Sequence, residues 1–298
     1  MGDGHNRSGR LRPAGPLDFQ LSLAAPHAMG AGAHAYQGVV AWGGAPAVLH
    51  LRGRGVVERP ELDWRIEGAT ADPTAVSARL ERWVSADVDL AACYAAFARD
   101  PVLAALAQRL HGLRVLRAPS LYSGLLAAVL DQQQGFGGGA AKLARLRTAL
   151  GPPAPSDASV HGDPPPVTLA RMRPDALAAS ELALGIGLPQ ARALIAVARA
   201  AAAGALDDEE WATLPLDTAR ERLLKLRGVG RWSADCALLA ALGHTDALPA
   251  EDPGLLRLAR RLYALRAPLT PQALHRRWAK LAPWRGYAAY YVLFTQWV

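Results

Sequence analysis

The sequence predicts a mainly α-helical protein with an α+β domain at its N-terminal end, and three observations predict it. Between residues 17 and 68 the chain is cut into short, partly alternating apolar runs separated by Gly or Pro, the pattern of small antiparallel strands. Beyond Pro119 that pattern stops, and apolar residues recur at helical spacing to the C-terminus. No period of roughly 20 to 50 residues repeats, which excludes a solenoid. With 298 residues, 51% of them apolar, the chain has the means to bury one large core or two to three smaller ones.

Taken in order, residues 1–16 are rich in Gly, Arg and Pro and are expected to form a disordered tail. Residues 17–110 are assigned to the α+β domain. Its expected strands are "LDFQLSL", "AYQGVVAW", "APAVLHLRG" and "LDWRIEG". "DPTAVSARLERWVS" then offers an Asp cap followed by Pro at the first helical position, so a helix should pack on the sheet. Residues 111–298 are expected to be a helical core built from "SLYSGLLAAVLDQQ", "AAKLARLRTAL", "RPDALAASEL", "LPQARALIAVARAAAAG", "LDTARERLLKL", "RWSADCALLAALG", "DPGLLRLARRLYAL", "TPQALHRRWAKL" and "WRGYAAYYVLFTQWV". The Pro-rich stretch 151–168 between them reads as a solvated loop or a crossover between two helical lobes.

Composition narrows the function. Two cysteines, Cys93 and Cys236, are too few for a disulfide framework, a Cys-rich zinc site or an iron–sulfur cluster, and the eight histidines show no ligand spacing, so no metal site is expected. No apolar run reaches membrane-spanning length and the first residues lack a secretory signal, so a cytoplasmic protein is expected. Net charge is +7, and all of it lies in residues 211–298, which hold 13 Lys+Arg against 6 Asp+Glu. A basic segment of this kind suits a polyanion such as nucleic acid, although 30 arginines against three lysines (Lys142, Lys225, Lys280) also fit a general preference for arginine.

Inside that basic segment lies "LRGVGRWSAD", residues 226–235, with Gly228 and Gly230 between two helical patterns. Both glycines permit positive φ and close backbone approach, and the amides opening the next helix would face an anion. Gly228, Val229 and Gly230, with Arg231 and Ser233 as further donors, thus form a candidate phosphate cradle; capping alone is the other reading of such glycines. Some twenty residues on, "LPAEDPGLLRLARRLY" places Glu251 and Asp252 before Pro and Gly, and the chain closes with "LAPWRGYAAYYVLFTQWV".

These three motifs, with "GLLAAVLDQQQ" and "LALGIGLPQARALIAVARA" upstream, resemble the helix-hairpin-helix DNA glycosylase superfamily, and within it the 3-methyladenine glycosylase II group. The motifs cover about residues 119–298, with the hairpin at about 217–242; over 17–110 the resemblance rests on the α+β pattern alone. It implies a monomeric enzyme that flips a damaged base out of duplex DNA and hydrolyses its N-glycosidic bond. It implies no cofactor beyond a loosely held monovalent cation at the hairpin.

The resemblance places the catalytic carboxylate at Asp252, where it would stabilise positive charge at C1′ or orient water. Glu251 is the weaker candidate, and an N-cap without chemistry is the plain alternative for Asp252. Members that also nick the strand carry a lysine where this chain has Trp232, so a monofunctional enzyme is expected. Trp232 matches a base-pocket tryptophan suited to cationic purines. Cys236, Pro253 and Leu293 replace Tyr, Tyr and Trp of the alkylation-repair group, and Tyr287 is a further pocket candidate, with Tyr290 and Tyr291 beside it in a helix that also suits the core. The wedge that fills the vacated stack falls on Gln133 or Gln134, ahead of "GFGGG" at 135–139. The expected reaction is excision of alkylated purines. Excision of a deaminated or oxidised base, silent damage binding and small-molecule hydrolysis are the alternatives.

Overall fold

Alternation in the N-terminal segment becomes a four-stranded antiparallel sheet in the computed structural model, which describes residues 7–25, 35–42, 45–68, 72–153, 161–179 and 184–298. The strands are β1 (Arg7–Leu11), β2 (Ala35–Trp42), β3 (Ala45–Val56) and β4 (Arg59–Glu67), in spatial order β1-β4-β3-β2. Leu62, Trp64 and Ile66 of β4 point into a core shared with Leu49 and Leu51, while Arg59 and Arg65 face solvent. That buried face is covered by α1 (Phe19–Leu23) and α2 (Pro73–Trp83), the latter capped by Asp72 and packed through Val76 and Leu80.

Two expectations are corrected here. Residues 7–11 of the expected tail form edge strand β1, in register from Arg7 opposite Ile66 to Leu11 opposite Leu62. Tail-like composition is offset by cross-strand pairing, because Arg10 and Arg12 reach Asp63 and Glu61 at 2.8 Å on the facing strand. Residues 1–6 lie outside the described residues. "LDFQLSL" is the helical turn α1 rather than a strand: Asp18 accepts the Leu21 N–H at 2.8 Å, and Phe19 and Leu23 share one face at helical spacing.

The helical core comprises α3 (Leu90–Phe97), α4 (Pro101–Arg109), α5 (Leu121–Asp131), α6 (Ala140–Leu150), α7 (Pro166–Ala170), α8 (Pro174–Ala178), α9 (Leu188–Ala202), α10 (Asp208–Ala212), α11 (Leu216–Leu224), α12 (Arg231–Ala237), α13 (Pro253–Leu262), α14 (Pro271–Arg277) and α15 (Arg285–Phe294). A π-helical turn over Leu238–Leu242 prolongs α12. α3 and α4 pack into this core rather than under the sheet, through Leu90, Cys93, Phe97, Leu103 and Leu106, while Leu116 packs with the sheet, so the two clusters interleave along the chain around residue 110. Residues 154–160 of the Pro-rich loop and 180–182 of the expected "RPDALAASEL" helix lie outside the described residues; α8 accounts for the start of that helix.

α5 runs through the middle of the core and is apolar nearly all round, as a buried helix must be. Gly124 lets it approach the π-helical turn, because a Cβ there would lie 2.8 Å from that of Ala241. The two units are tied by Arg114, 1% exposed, whose guanidinium donates to the carbonyls of Ala14, Pro16, Ser85 and Val88. With the core fixed in this way, the C-terminal end of α5 and the N-terminal ends of α12 and α13 converge on one spot.

Candidate active site

The hairpin forms as its glycines suggest, but the two have different reasons to be glycine. Gly228 has φ +83°, and a Cβ on it would lie 2.5 Å from that of Ala193 on α9, so conformation and packing both require glycine. Gly230 has φ −90°, against the expectation of positive φ, and a Cβ there would meet nothing within 4 Å. The open side of the hairpin is therefore at Gly230, where α12 begins without a side-chain cap. Val229 anchors the turn by its buried side chain. Beneath it, Arg220 of α11 donates to the fully buried Asp235 of α12 at 2.6 Å, locking the two helices together. Burial pushes the Asp235 carboxyl up to about 6 despite that partner.

Arg231 is half exposed and lies 3.9 Å from Glu251, so both side chains sit on the outer rim. Ser233 is corrected: it is 2% exposed, and its hydroxyl accepts from Gln132 Nε2 at 3.1 Å instead of facing an outside anion. The same Gln132 amide donates to the Gly228 carbonyl at 2.9 Å, so the residue after α5 clasps the hairpin. Gln190 of α9, also buried, donates to the carbonyls of Val129 and Gln132 and holds that end of α5 in place.

Asp252 is completely buried and caps α13 through Oδ1, which accepts the Leu255 N–H at 2.8 Å. Its other oxygen does something a cap does not need. Oδ2 accepts from the Trp232 indole at 3.0 Å and from the Phe136 N–H at 3.1 Å. The carboxylate thus sits where the hairpin helix, the loop after α5 and the start of α13 meet, with each oxygen aimed by a fixed donor. Cys236 lies one helical turn beyond Trp232, is 2% exposed, and has its thiol pushed well above its ordinary range by burial and by Asp252 and Asp131 nearby. Leu293 reaches the same spot from α15, within 3.8 Å of a Cβ built on Gly254. Tyr287 is corrected: six residues earlier on α15, it points the other way, fully buried beside Trp284 and Tyr291 in the core. Tyr290 and Tyr291 are also fully buried.

The Gly-rich loop, residues 132–139, lies directly over Asp252. Gln133 is exposed and takes φ +72°, a left-handed conformation uncommon for a residue with a side chain. Gln134 turns back, bonding the Gly138 carbonyl and Lys142 Nζ once its amide is oriented to suit them. The four residues the sequence reading passed over, Asp131, Gln132, Phe136 and Gln190, all fix this loop. One signal for them was legible: an aspartate ending an apolar helix, where the helix dipole disfavours it, three glutamines ahead of a glycine run. Among the described residues no group of three His, Cys, Asp or Glu is placed to hold a metal.

No protein-family model matches the chain. It is 27% identical over 214 residues to a DNA-3-methyladenine glycosylase of Bacillus subtilis, spanning 72% of this chain and 69% of that protein. It is 32% identical over 232 residues to a probable bifunctional transcriptional activator/DNA repair enzyme AlkA of Mycobacterium tuberculosis, spanning 75% of this chain and 43% of that protein. Its fold superposes on a 3-methyladenine DNA glycosylase from Archaeoglobus fulgidus with a TM-score of 0.80 at 18% identity, covering 97% and 98% of the two chains. An 8-oxoguanine glycosylase/lyase of Clostridium acetobutylicum bound to double-stranded DNA gives 0.76 at 16% identity, covering 99% and 97%. The chain thus has the fold of the helix-hairpin-helix DNA glycosylases, and its sequence is similar to those of DNA-3-methyladenine glycosylases.

Proposed function

We propose that the protein excises alkylated purines, 3-methyladenine-like bases first, from duplex DNA by hydrolysis without strand cleavage. The observation that carries this reading is the double engagement of Asp252. Capping uses Oδ1, whereas Oδ2 is held at the junction of hairpin and loop by donors that a cap has no use for. A carboxylate held in a dry, preorganised shell stabilises the positive charge that develops on deoxyribose as the C1′–N bond stretches. The base leaves with the bonding electron pair, and water adds to C1′, passing its proton to the Asp252 carboxylate and on to solvent. An alkylated purine already carries the positive charge that this pair neutralises, so it needs no proton donor. The groups around Asp252 suit that demand: the Trp232 face attracts a cationic ring, and Cys236 and Leu293 are small or apolar.

The Gly230 side of the hairpin supplies backbone amides for a phosphate, and the excess positive charge of residues 211–298 adds a salt-dependent attraction. Both Gln133 and Gln134 are exposed, and Gln133 is the better wedge, since the Gln134 amide is engaged with the Gly138 carbonyl and Lys142. A monovalent cation at the hairpin fits carbonyls such as those of Leu226 and Gly228, which accept Val229 N–H and Gln132 Nε2 and keep a second lone pair. No step above requires it, and the enzyme acts as a monomer.

A second reading, excision of an oxidised base, is favoured by one observation: the fold also superposes on an 8-oxoguanine glycosylase/lyase over nearly the whole chain. Duplexes carrying methylated purines and 8-oxoguanine, each incubated with enzyme and borohydride, separate the readings. Methyl-purine release without a trapped protein–DNA adduct is expected. Preferential 8-oxoguanine release, or a trapped adduct, would overturn the lesion assignment or the hydrolytic one respectively.

A further inference from the structure

The loop that covers Asp252 is not held by its own glycines. Its anchor is Asp131, the last residue of α5, which is 6% exposed and accepts the Gly137 N–H through one oxygen at 2.7 Å and the Gly139 N–H through the other at 2.6 Å. The glycine run is what lets the chain wrap so tightly. Gly135 and Gly137 have φ +83° and +80°, and a Cβ on Gly139 would lie 2.5 Å from the Leu130 carbonyl carbon. Between the two left-handed glycines sits Phe136. Its ring is packed against Tyr290 and Trp297, and its N–H is delivered to Asp252. One acid thus sets the register of a loop whose amide orients the other.

We propose that Asp131 is a positioning residue for the reaction: its ionised carboxylate clamps the glycine loop in the register that aims the Phe136 amide at Asp252 and holds Gln133 at the loop crest. The inference rests on the glycosylase reading for its effect on rate, but not for its effect on the loop.

The charge state of Asp131 matters to this role. An ionised carboxylate accepts both amides, whereas a protonated one turns an oxygen into a hydroxyl donor and gives up part of its hold on one of them. The groups facing it are Asp252 at the start of α13, Lys142 on α6 and Cys236 on α12. Burial, reinforced by the Asp252 charge, outweighs Lys142 and the two glycine amides and pushes the Asp131 carboxyl up to about 6. The clamp is therefore complete at neutral pH and loosens as pH falls through about 6.

The test compares full-length wild type with Asp131→Asn, whose amide is nearly the same size but can accept only through its one oxygen, leaving a second loop amide facing another donor. Amide hydrogen exchange over residues 132–139 reads the loop without needing turnover. Exchange about tenfold faster in the variant at pH 8, with wild type approaching the variant as pH falls below about 6, is expected. Equal exchange in the two proteins at pH 8 overturns the proposal. Single-turnover base release from methylated duplex DNA then reads the coupling to Asp252. The variant should be about tenfold slower at pH 8 and should lack the loss of rate that wild type shows near pH 6. Altered exchange with unaltered rate and pH profile overturns the positioning role. Wild type that releases no base while its loop responds as expected overturns the glycosylase reading and leaves the clamp standing.

Discussion

Asp252 serves the fold as a helix cap and, in the proposed reaction, the chemistry as well. Its Oδ1 caps α13, its Oδ2 is set by Trp232 and Phe136, and its burial is complete. The cap was legible in the sequence, since Asp followed by Pro is a helix start, and the resemblance marked the same residue as the acid. What the sequence could not display was the partner at residue 136, because that contact spans more than a hundred residues of chain and depends on a loop wound by glycines. Gln133 is the complementary case. Two adjacent glutamines were equivalent in sequence and both are exposed, but backbone and bonding separate them: Gln133 takes the strained left-handed position, while the Gln134 amide is tied to the Gly138 carbonyl and Lys142. Filling the gap left by a flipped base offsets part of an unstacking cost of a few kcal/mol. Gln133→Ala should therefore slow single-turnover excision about tenfold, whereas Gln134→Ala should lower stability more than rate. Equal rate losses in the two variants, measured side by side with thermal melts, would remove the assignment.

At the scale of elements, the hairpin divides its labour between two glycines that look alike in sequence. Gly228 is bound by positive φ and by contact with Ala193; Gly230 is bound by neither. Gly228→Ala is expected to cost about 2–4 kcal/mol of stability, from left-handed strain plus a clash in a packed interface. Gly230→Ala should stay within about 0.5 kcal/mol of wild type in stability. It should nonetheless weaken duplex DNA binding about tenfold if a phosphate approaches that amide, since a hydrogen bond to a charged group is worth about 1.5–3 kcal/mol. Urea titration and DNA titration at fixed salt check the pair. Long helical segments were read correctly from periodicity, as at α5 and α9, and the Asp–Pro starts of α2 and α13 from their caps. The short elements were not: five residues of apolar chain suit a turn of helix or a strand equally, and α1 was settled by its Asp18 cap and packing. β1 was hidden for a different reason. Its pairing is with a strand about fifty residues away, and only Leu11 of the five is buried.

For the whole molecule, a sheet unit and a helical core were legible, but not the core that α3 and α4 join. Residues 88–110 follow the sheet helix in sequence while packing with α15 and its neighbours, through contacts such as Phe97 against Tyr291. Composition did not distinguish these helices from those of the sheet unit. Tyr287 was misplaced by the same limitation. A tyrosine on an apolar C-terminal helix carries no mark of which side faces the site, and here Leu293 packs near Gly254 while Tyr287 packs beside Trp284 and Tyr291. Net charge, by contrast, follows from sequence alone. The basic C-terminal third and the hairpin belong to the same segment, as DNA binding would require.

The account stands or falls on what Asp252 does with its second oxygen. Release of free base from methylated duplex DNA should be compared between wild type and Asp252→Asn, together with the affinity of each for the same duplex. Asn keeps an oxygen for the cap and removes the charge, so a loss of about 10²–10³ in excision rate with DNA binding retained is expected. Base release by Asp252→Asn at the wild-type rate would contradict the account, leaving Asp252 a helix cap and placing the chemistry elsewhere.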